Sequence, residues 1–424
     1  MQKKASNSHQ SQAGSVAIIG GGPAGLMVAE TLALRGIAVD LYDAMPSVGR
    51  KFLMAGKGGM NLTHSENSVS FMTRYAEREA QLAPMIEEFD AAALRDWASG
   101  LGIATYVGSS GRVFPVDMKA APLLRAWLHR LRQQGVRFHM RHRWLGWDEA
   151  GQLRFATPEG EISQPALAQV FALGGGSWAR LGSDGAWVQL LRQRGLDVAD
   201  LQPANCGFDI AWTDFFKDKF AGQPLLTVAA RVHGSGQAMR KGQFVITDSG
   251  VEGSLIYALS ASLRKQLQSQ GKAVLELDLL PDTPWEKVQA ELEHPRGSRS
   301  LSSHLKSRLG LDVLKTSLLH ECLSKTDFAH SSILAAAIKA LPVVLTATRP
   351  IDEAISSAGG LCFEALDGNL MAVQHPGLFF AGEMLDWEAP TGGYLLTACL
   401  ATARTAARGV VQWLEDSAHR GEAS

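Results

Sequence analysis

Six consecutive residues, Gly20-Gly21-Gly22-Pro23-Ala24-Gly25, limit what this chain can fold into more than any other feature. They match G-x-G-x-x-G and stand between a short apolar run, residues 16–19, and an alanine-rich helical pattern over residues 23–35. Gly36 ends that helix, and residues 37–42 alternate as a second strand closed by Asp43. Strand, turn, helix and strand in this order predict a βαβ unit of a doubly wound α/β domain, with a dinucleotide at the helix start. Gly20 permits the tight turn, Gly22 lets the backbone approach a pyrophosphate, and Gly25 lets helix and strand pack closely. Pro23 and Ala24 open the helix, whose free N–H groups face the phosphates. Asp43, about twenty residues on, is placed to accept hydrogen bonds from the adenosine ribose.

The fingerprint alone does not separate FAD from a nicotinamide dinucleotide. A flavin needs contacts far from the adenosine, and three further segments offer them. Ala381-Gly382-Glu383-Met384-Leu385-Asp386 is followed by Gly392-Gly393-Tyr394, where a Gly-Gly step opens a long helix, expected over residues 393–416. Backbone N–H groups at such a start can stabilise charge on a reduced flavin, and Asp386 suits ribitol or phosphate. The loop of residues 49–63 carries Arg50, Lys51 and Lys57 with Gly58, Gly59 and Asn61, and is expected to wrap pyrophosphate and pass under the ring. Gly174 and Gly175 follow a short buried strand, where open sheets bind ligands.

Composition narrows the class. The chain has 424 residues, too many for one core, so two or three domains are expected. Lys plus Arg number 41 and Asp plus Glu 42, which disfavours a nucleic-acid-gripping surface, although Arg125, Arg130, Arg132, Arg137, Arg141 and Arg143 cluster locally. The four cysteines, Cys206, Cys322, Cys362 and Cys399, form no C-x-x-C pair. That pattern suits a reducing, cytoplasmic setting and disfavours a metal site or a dithiol mechanism. No run of about 18 uncharged apolar residues suggests a membrane span.

Residues 1–14 read as a disordered tail and 15–200 as the first part of the nucleotide domain. A strand-rich insertion follows over 201–280, a helical piece over 281–342 and a strand return over 343–358. Residues 359–416 complete the nucleotide domain, and 417–424 form a tail. Residues 75–100 read as one helix and 136–147 as one strand. Residues 362–364 read as a strand.

Taken together, the blocks resemble the BaiN/RdsA family of NAD(P)/FAD-dependent oxidoreductases over about residues 16–409. The likeness rests on the fingerprint, the loop from Gly49-Arg50-Lys51 to Asn61-Leu62-Thr63, Gly111-Arg112-Val113-Phe114-Pro115, residues 247–253, and the Gly382 to Tyr394 segment. It implies a Rossmann-like FAD domain split in sequence, an inserted β-barrel-like domain, and a small helical domain within that. It implies FAD, with NADH or NADPH as donor and hydride transfer through flavin N5 to a small unsaturated substrate. One branch of the family reduces uridine in ribosomal RNA, and another is linked to bile-acid reduction. The RNA-acting branch has a glycine run followed by Arg-Cys-Asn in the ring-side loop, where this chain has Gly58-Gly59-Met60-Asn61. An rRNA-modifying flavoenzyme and a flavin-binding protein without turnover are the alternatives.

No residue stands out as the acid or base. His64, Glu388 and Tyr394 are the candidates by location, with Asp386, Lys57 and Asp248 behind them. The oligomeric state is left open.

Overall fold

A computed structural model describes residues 14–54 and 58–422. Lys57 and residues 1–13 of the expected tail lie outside them. The chain divides into two compact units, Met1–Leu201 with Ala358–Ser424, and Gln202–Ser357.

The first unit begins with β1 (Val16–Ile19), α1 (Pro23–Ala33), β2 (Val39–Asp43) and the short helix α2 (Arg50–Met54). Next come β3 (Thr63–His64), β4 (Thr105–Val107), β5 (Arg112–Pro115), α3 (Ala120–Gln133) and β6 (Arg137–Met140). After β7 (Gln169–Phe171) the chain runs through the second unit and returns for β8 (Leu378–Phe380) and α4 (Tyr394–Glu422). Five of these strands form one parallel sheet in the order β8-β7-β1-β2-β6. All four β1 residues are buried, as a central strand covered on both faces requires. Helices α1 and α4 pack on each other, and α4 brings small buried residues, among them Ala398, Ala403 and Ala407.

Several boundaries differ from the sequence reading. The stretch 75–100 breaks after Glu88, because Asp90 accepts a hydrogen bond from Ala93 N (2.8 Å) and caps a new helix, Ala91–Gly100. The stretch 136–147 splits at Arg141, whose φ of 61° ends β6. Residues Arg143–Trp147 then start a separate antiparallel sheet with Leu153–Thr157 and Gly160–Gln164. The strand expected at 362–364 is instead Ser356–Leu361, and Phe363–Ala365 turns as a 3-10 helix. Helix α4 continues through residues 417–422, expected as tail.

The second unit holds a seven-stranded antiparallel sheet. Its edge strands, Leu341–Leu345 and Ala347–Thr348, are separated by Thr346 alone, so the sheet must curl until its edges meet. The helices between Trp285 and Lys339 build no core of their own. Their apolar residues, such as Val288, Leu305, Leu318 and Leu334, join one cluster with sheet residues Phe208, Leu275 and Val343. Four short helices cannot bury their apolar residues without that partner. Among the described residues no helix is long and apolar enough to cross a membrane.

Asp40 ties the sheet together at the start of β2. Its carboxylate accepts from Ser15 Oγ (2.5 Å), Arg137 Nε (2.7 Å) and Nη2 (2.5 Å), and lies 2.7 Å from His139 Nε2. Burial pushes this carboxyl up, but the hydrogen bonds from Arg137, His139 and Ser15 win and hold it well below the usual range. A group depressed on folding stabilises above its unfolded pKa and loses that contribution as pH falls through the folded one. Asp40→Asn should therefore cost roughly 1–2 kcal/mol at neutral pH, the scale of charge-assisted bonds partly open to water. The gap from the parent should narrow below about pH 4. Urea unfolding of both proteins across pH 3–8 checks this, and a gap that widens in acid would refute it.

Candidate functional site

A cleft with about 840 Å³ of empty space opens at the carboxyl ends of β1, β2 and β7, entirely within the first unit. Doubly wound sheets bind ligands at this edge. Its floor is the fingerprint turn. Gly20 has φ of 109°, and a Cβ there would meet Ala172 O at 2.3 Å. A Cβ on Gly25 would stand 1.9 Å from Gly20 O, so only glycine lets α1 start this close to β1. Gly22 differs, because a Cβ there would meet nothing within 4 Å. It would project into open space beside the first turn of α1, where Pro23 sits at the N-terminal position.

Asp43 closes β2 and lines the cleft. Its Oδ2 accepts from Gly21 N and its Oδ1 from Met45 N, both at 2.8 Å. Burial pushes this carboxyl up, and the two amides oppose that shift. Each carboxylate oxygen takes up to two hydrogen bonds, so both keep acceptor capacity.

The expected loop at 49–63 contains a helix. Arg50-Lys51-Phe52-Leu53-Met54 lacks glycine and winds into α2, which places Arg50 and Lys51 on the cleft wall. The two cations differ. Lys51 Nζ donates to Ser177 Oγ (2.7 Å) and to Glu383 Oε1 (3.1 Å) and Oε2 (2.8 Å). Arg50 Nη1 reaches only Ser47 Oγ at 3.3 Å, and its buried Nε has no partner among the described residues.

Of the residues singled out from sequence, Gly20, Gly22, Pro23, Ala24, Asp43, Arg50, Lys51, Gly174 and Glu383 line the cleft. Gly25 lies beneath it. Gly175 accepts at its carbonyl from Ser183 Oγ (2.9 Å), and Gly382 backs onto Ala24 so closely that a Cβ on it would lie 2.7 Å from the Ala24 Cβ. A second group gathers around β3. Gly393 approaches Thr63 so closely that a Cβ would lie 2.4 Å from Thr63 Cα, and Thr397 Oγ1 donates to Thr63 Oγ1 (2.9 Å). Gly58, Gly59 and Asn61 lead into this strand. The Oδ1 of Asn61 is buried without a partner among the described residues. Gly392 precedes Gly393 with φ of 141°.

Five candidates lie outside the cleft wall. Asp386 forms an ion pair with Arg78, which also holds Glu364 at 2.6 Å, and is not in the cleft wall. His64 has both ring nitrogens engaged: Nδ1 accepts from Glu66 N (3.1 Å) and Nε2 faces Ser110 O (3.0 Å). Tyr394 stacks on His64 at 5.4 Å, under the Arg74 guanidinium at 5.7 Å. Burial pushes its phenol up, and Glu66 reinforces the shift. The Tyr394 phenol is therefore held in its protonated form near neutral pH. Glu388 is partly buried outside the cleft wall, and Asp248 lies in an exposed turn of the second unit.

Sequence reasoning missed the cleft's side walls. Met45, His142, Trp144 and Cys399 line it. His142 and Trp144 follow β6, which neighbours β2, so the strand order would have found them. Cys399 lies five residues into α4, and burial pushes its thiol up.

A family model described as HI0933-like protein Rossmann domain matches residues 14–409. Over 411 residues the chain is 25% identical to a 3-dehydro-bile acid delta(4,6)-reductase of Clostridium scindens, covering 94% of this chain and 99% of that protein. Over 394 residues it is 23% identical to a ribosomal RNA dihydrouridine synthase of Haemophilus influenzae, covering 89% and 93%. Among solved structures it is similar to a 3-ketosteroid-delta4-(5alpha)-dehydrogenase from Rhodococcus jostii, with TM-score 0.50 and 15% identity over 97% of this chain and 100% of that one. At that identity the likeness is one of fold.

Proposed function

This chain belongs to the HI0933-like Rossmann-domain family, and from that membership and the cleft we infer that it is an FAD-dependent oxidoreductase acting on a small unsaturated substrate, with NADH or NADPH as electron donor. The observation that carries the reading is the pairing of an open position at Gly22 with an unpartnered, buried Arg50 Nε on the facing wall. A cleft with helix-start amides and a guanidinium whose Nε lacks a hydrogen-bond partner fits a pyrophosphate. Asp43 would grip the adenosine ribose with its spare lone pairs.

When bound, the flavin would supply hydride transfer through N5. The remaining work falls to the protein. Asn61 offers a buried acceptor near β3, and the Gly392-Gly393 step frees the amides that open α4. The positive end of that helix favours negative charge beside it. Phe71 packs edge-on against the Tyr394 ring, and the Tyr75 hydroxyl donates to the Tyr394 carbonyl at 2.9 Å.

A small substrate is favoured over RNA by the state of the arginine cluster. Arg130 pairs with Glu30, Arg137 with Asp40, and Arg143 with Asp184. An RNA-binding face needs several cations free for phosphates, and three of the six are already neutralised. A relative matched over 94% of this chain is named for reducing a bile acid, which points the same way.

The test is anaerobic. Purified protein should be yellow, NADH or NADPH should bleach it, and a cyclic enone should restore the colour, while ribosomal RNA should not. Protein that stays colourless after incubation with FAD would overturn the reading. Reoxidation by RNA but not by enones would replace the substrate class.

A further inference from the structure

Beyond Asp43 the cleft continues past the places that phosphates and ribose would take. Its far end lies over β6, the strand next to β2. Neighbouring strands stand about 4.8 Å apart. The ends of β1, β2 and β6 therefore step outward from the fingerprint to Asp43 and then to His142 and Trp144, over the span of one nucleotide. Met45 and Gly182 close this end, since a Cβ on Gly182 would stand 2.7 Å from Met45 Cγ.

Two side chains here are unsatisfied in complementary ways. His142 Nδ1 lies 2.9 Å from Met140 O. A carbonyl only accepts, so Nδ1 carries a proton, and Nε2 of the neutral ring is left as an acceptor. Nε2 makes no hydrogen bond among the described residues. Trp144 is 7% exposed, and its Nε1, which can only donate, is buried without a partner among the described residues. A buried donor without an acceptor is costly, and on the wall of a cleft a ligand atom can meet it.

Both side chains are held by the fold itself. His142 N donates to Asp43 O (2.9 Å) and Arg141 N to Met45 O (3.1 Å), so the turn after β6 is laced to the end of β2. The His142 ring leans on Tyr42 (5.8 Å) and Phe155 (6.2 Å). Trp144 packs against Trp147 (4.9 Å) and Phe171 (4.8 Å).

We propose that His142 and Trp144 read the base of the dinucleotide and select a 6-aminopurine: His142 Nε2 accepts from the exocyclic amine, and Trp144 Nε1 donates to a ring nitrogen beside it. The inference rests on FAD being the ligand of this cleft and adds which side chains choose its base. Adenine sets an amino donor next to a ring-nitrogen acceptor, whereas a 6-oxopurine puts an acceptor where the amine stood. Facing His142 Nε2, that oxygen would set two acceptors against each other. The fingerprint makes no such distinction, since helix-start amides and Asp43 meet only phosphate and ribose.

Titration of the flavin-free, full-length protein with FAD and with flavin hypoxanthine dinucleotide, followed by flavin fluorescence, tests this without turnover. The parent should bind FAD about tenfold or more tighter than the 6-oxo analogue, the scale of one matched base edge. His142→Phe keeps a ring but not the acceptor, and should bring the two affinities together. It should bind the analogue at least as tightly as the parent does, which shows that the variant folds and keeps the rest of the cleft. His142→Gln returns an amide oxygen and should restore part of the preference. Trp144→Phe should weaken FAD binding about fivefold, the loss of one hydrogen bond. Equal affinities in the parent would overturn the proposal and leave the cofactor reading standing. A preference that survives in His142→Phe, or an unchanged FAD affinity in Trp144→Phe, would overturn it as well. Binding of neither dinucleotide by the parent would sink the cofactor reading and this inference together.

Discussion

Gly22→Leu is expected to yield a protein as stable as the parent that leaves purification colourless. Gly22 has φ of −78° and ψ of −177°, extended backbone that any residue adopts, so leucine brings no strain. A Cβ there meets nothing within 4 Å, so leucine brings no clash either. The stability change should stay within about 0.5 kcal/mol, as for an exposed substitution. The side chain would nevertheless occupy the space beside the first turn of α1 that a pyrophosphate needs. Excluding the phosphates should weaken FAD binding by at least about 100-fold, near 3 kcal/mol. Gly25→Ala should do the opposite in kind. Its Cβ would lie 1.9 Å from Gly20 O and 3.1 Å from Gly20 C, backbone atoms that cannot turn aside. That variant should lose about 1–3 kcal/mol before any ligand is considered. Thermal unfolding of the flavin-free proteins reads the first quantity, and fluorescence titration with FAD reads the second. A Gly22→Leu protein that holds FAD at parental affinity would remove the cleft from the account.

What was legible in the sequence was what steric necessity writes locally. Gly20 and Gly25 can be only glycine because carbonyls lie where a side chain would start, and their neighbours are close in the chain. Asp43 stood out by its place at the end of β2, and both its hydrogen bonds, from Gly21 N and Met45 N, come from within 22 positions of the chain. Pairings made across the split domain were not legible. Asp386 reads as a ligand group until the fold brings Arg78 to it across 308 positions. Lys51 reads as a phosphate cation until Glu383 neutralises it across 332. Arg50 and Lys51 look equivalent in sequence, and only their surroundings divide them. The helical stretch near 281–342 misled because its period marks helices but not what their apolar faces meet.

That division between adjacent cations has a measurable consequence in Lys51→Met. Glu383 has a side chain only 7% exposed, and Lys51 is the cation that compensates it, with Ser177 as the ammonium's further partner. Removing Lys51 takes the counter-charge from a carboxylate held away from water, a change that costs about 3–5 kcal/mol where a buried pair is broken from one side. Glu383→Gln is milder, because Lys51 is 25% exposed and its ammonium can turn to solvent. That variant should cost about 1–2 kcal/mol. The double variant Lys51→Met/Glu383→Gln should then be more stable than Lys51→Met alone, a coupling that two independent sites would not show. Arg50 forms no salt bridge among the described residues and acts on Asp43 only through its charge, so the stability of Arg50→Met should hold while FAD affinity falls about tenfold or more. Urea unfolding followed by tryptophan fluorescence, run beside FAD titrations on the same proteins, separates the two behaviours. If Lys51→Met unfolds with the parent and it is Lys51, not Arg50, whose loss weakens FAD binding, then the ion pair opens to release Lys51 to the phosphates, and the roles given to the two cations are reversed.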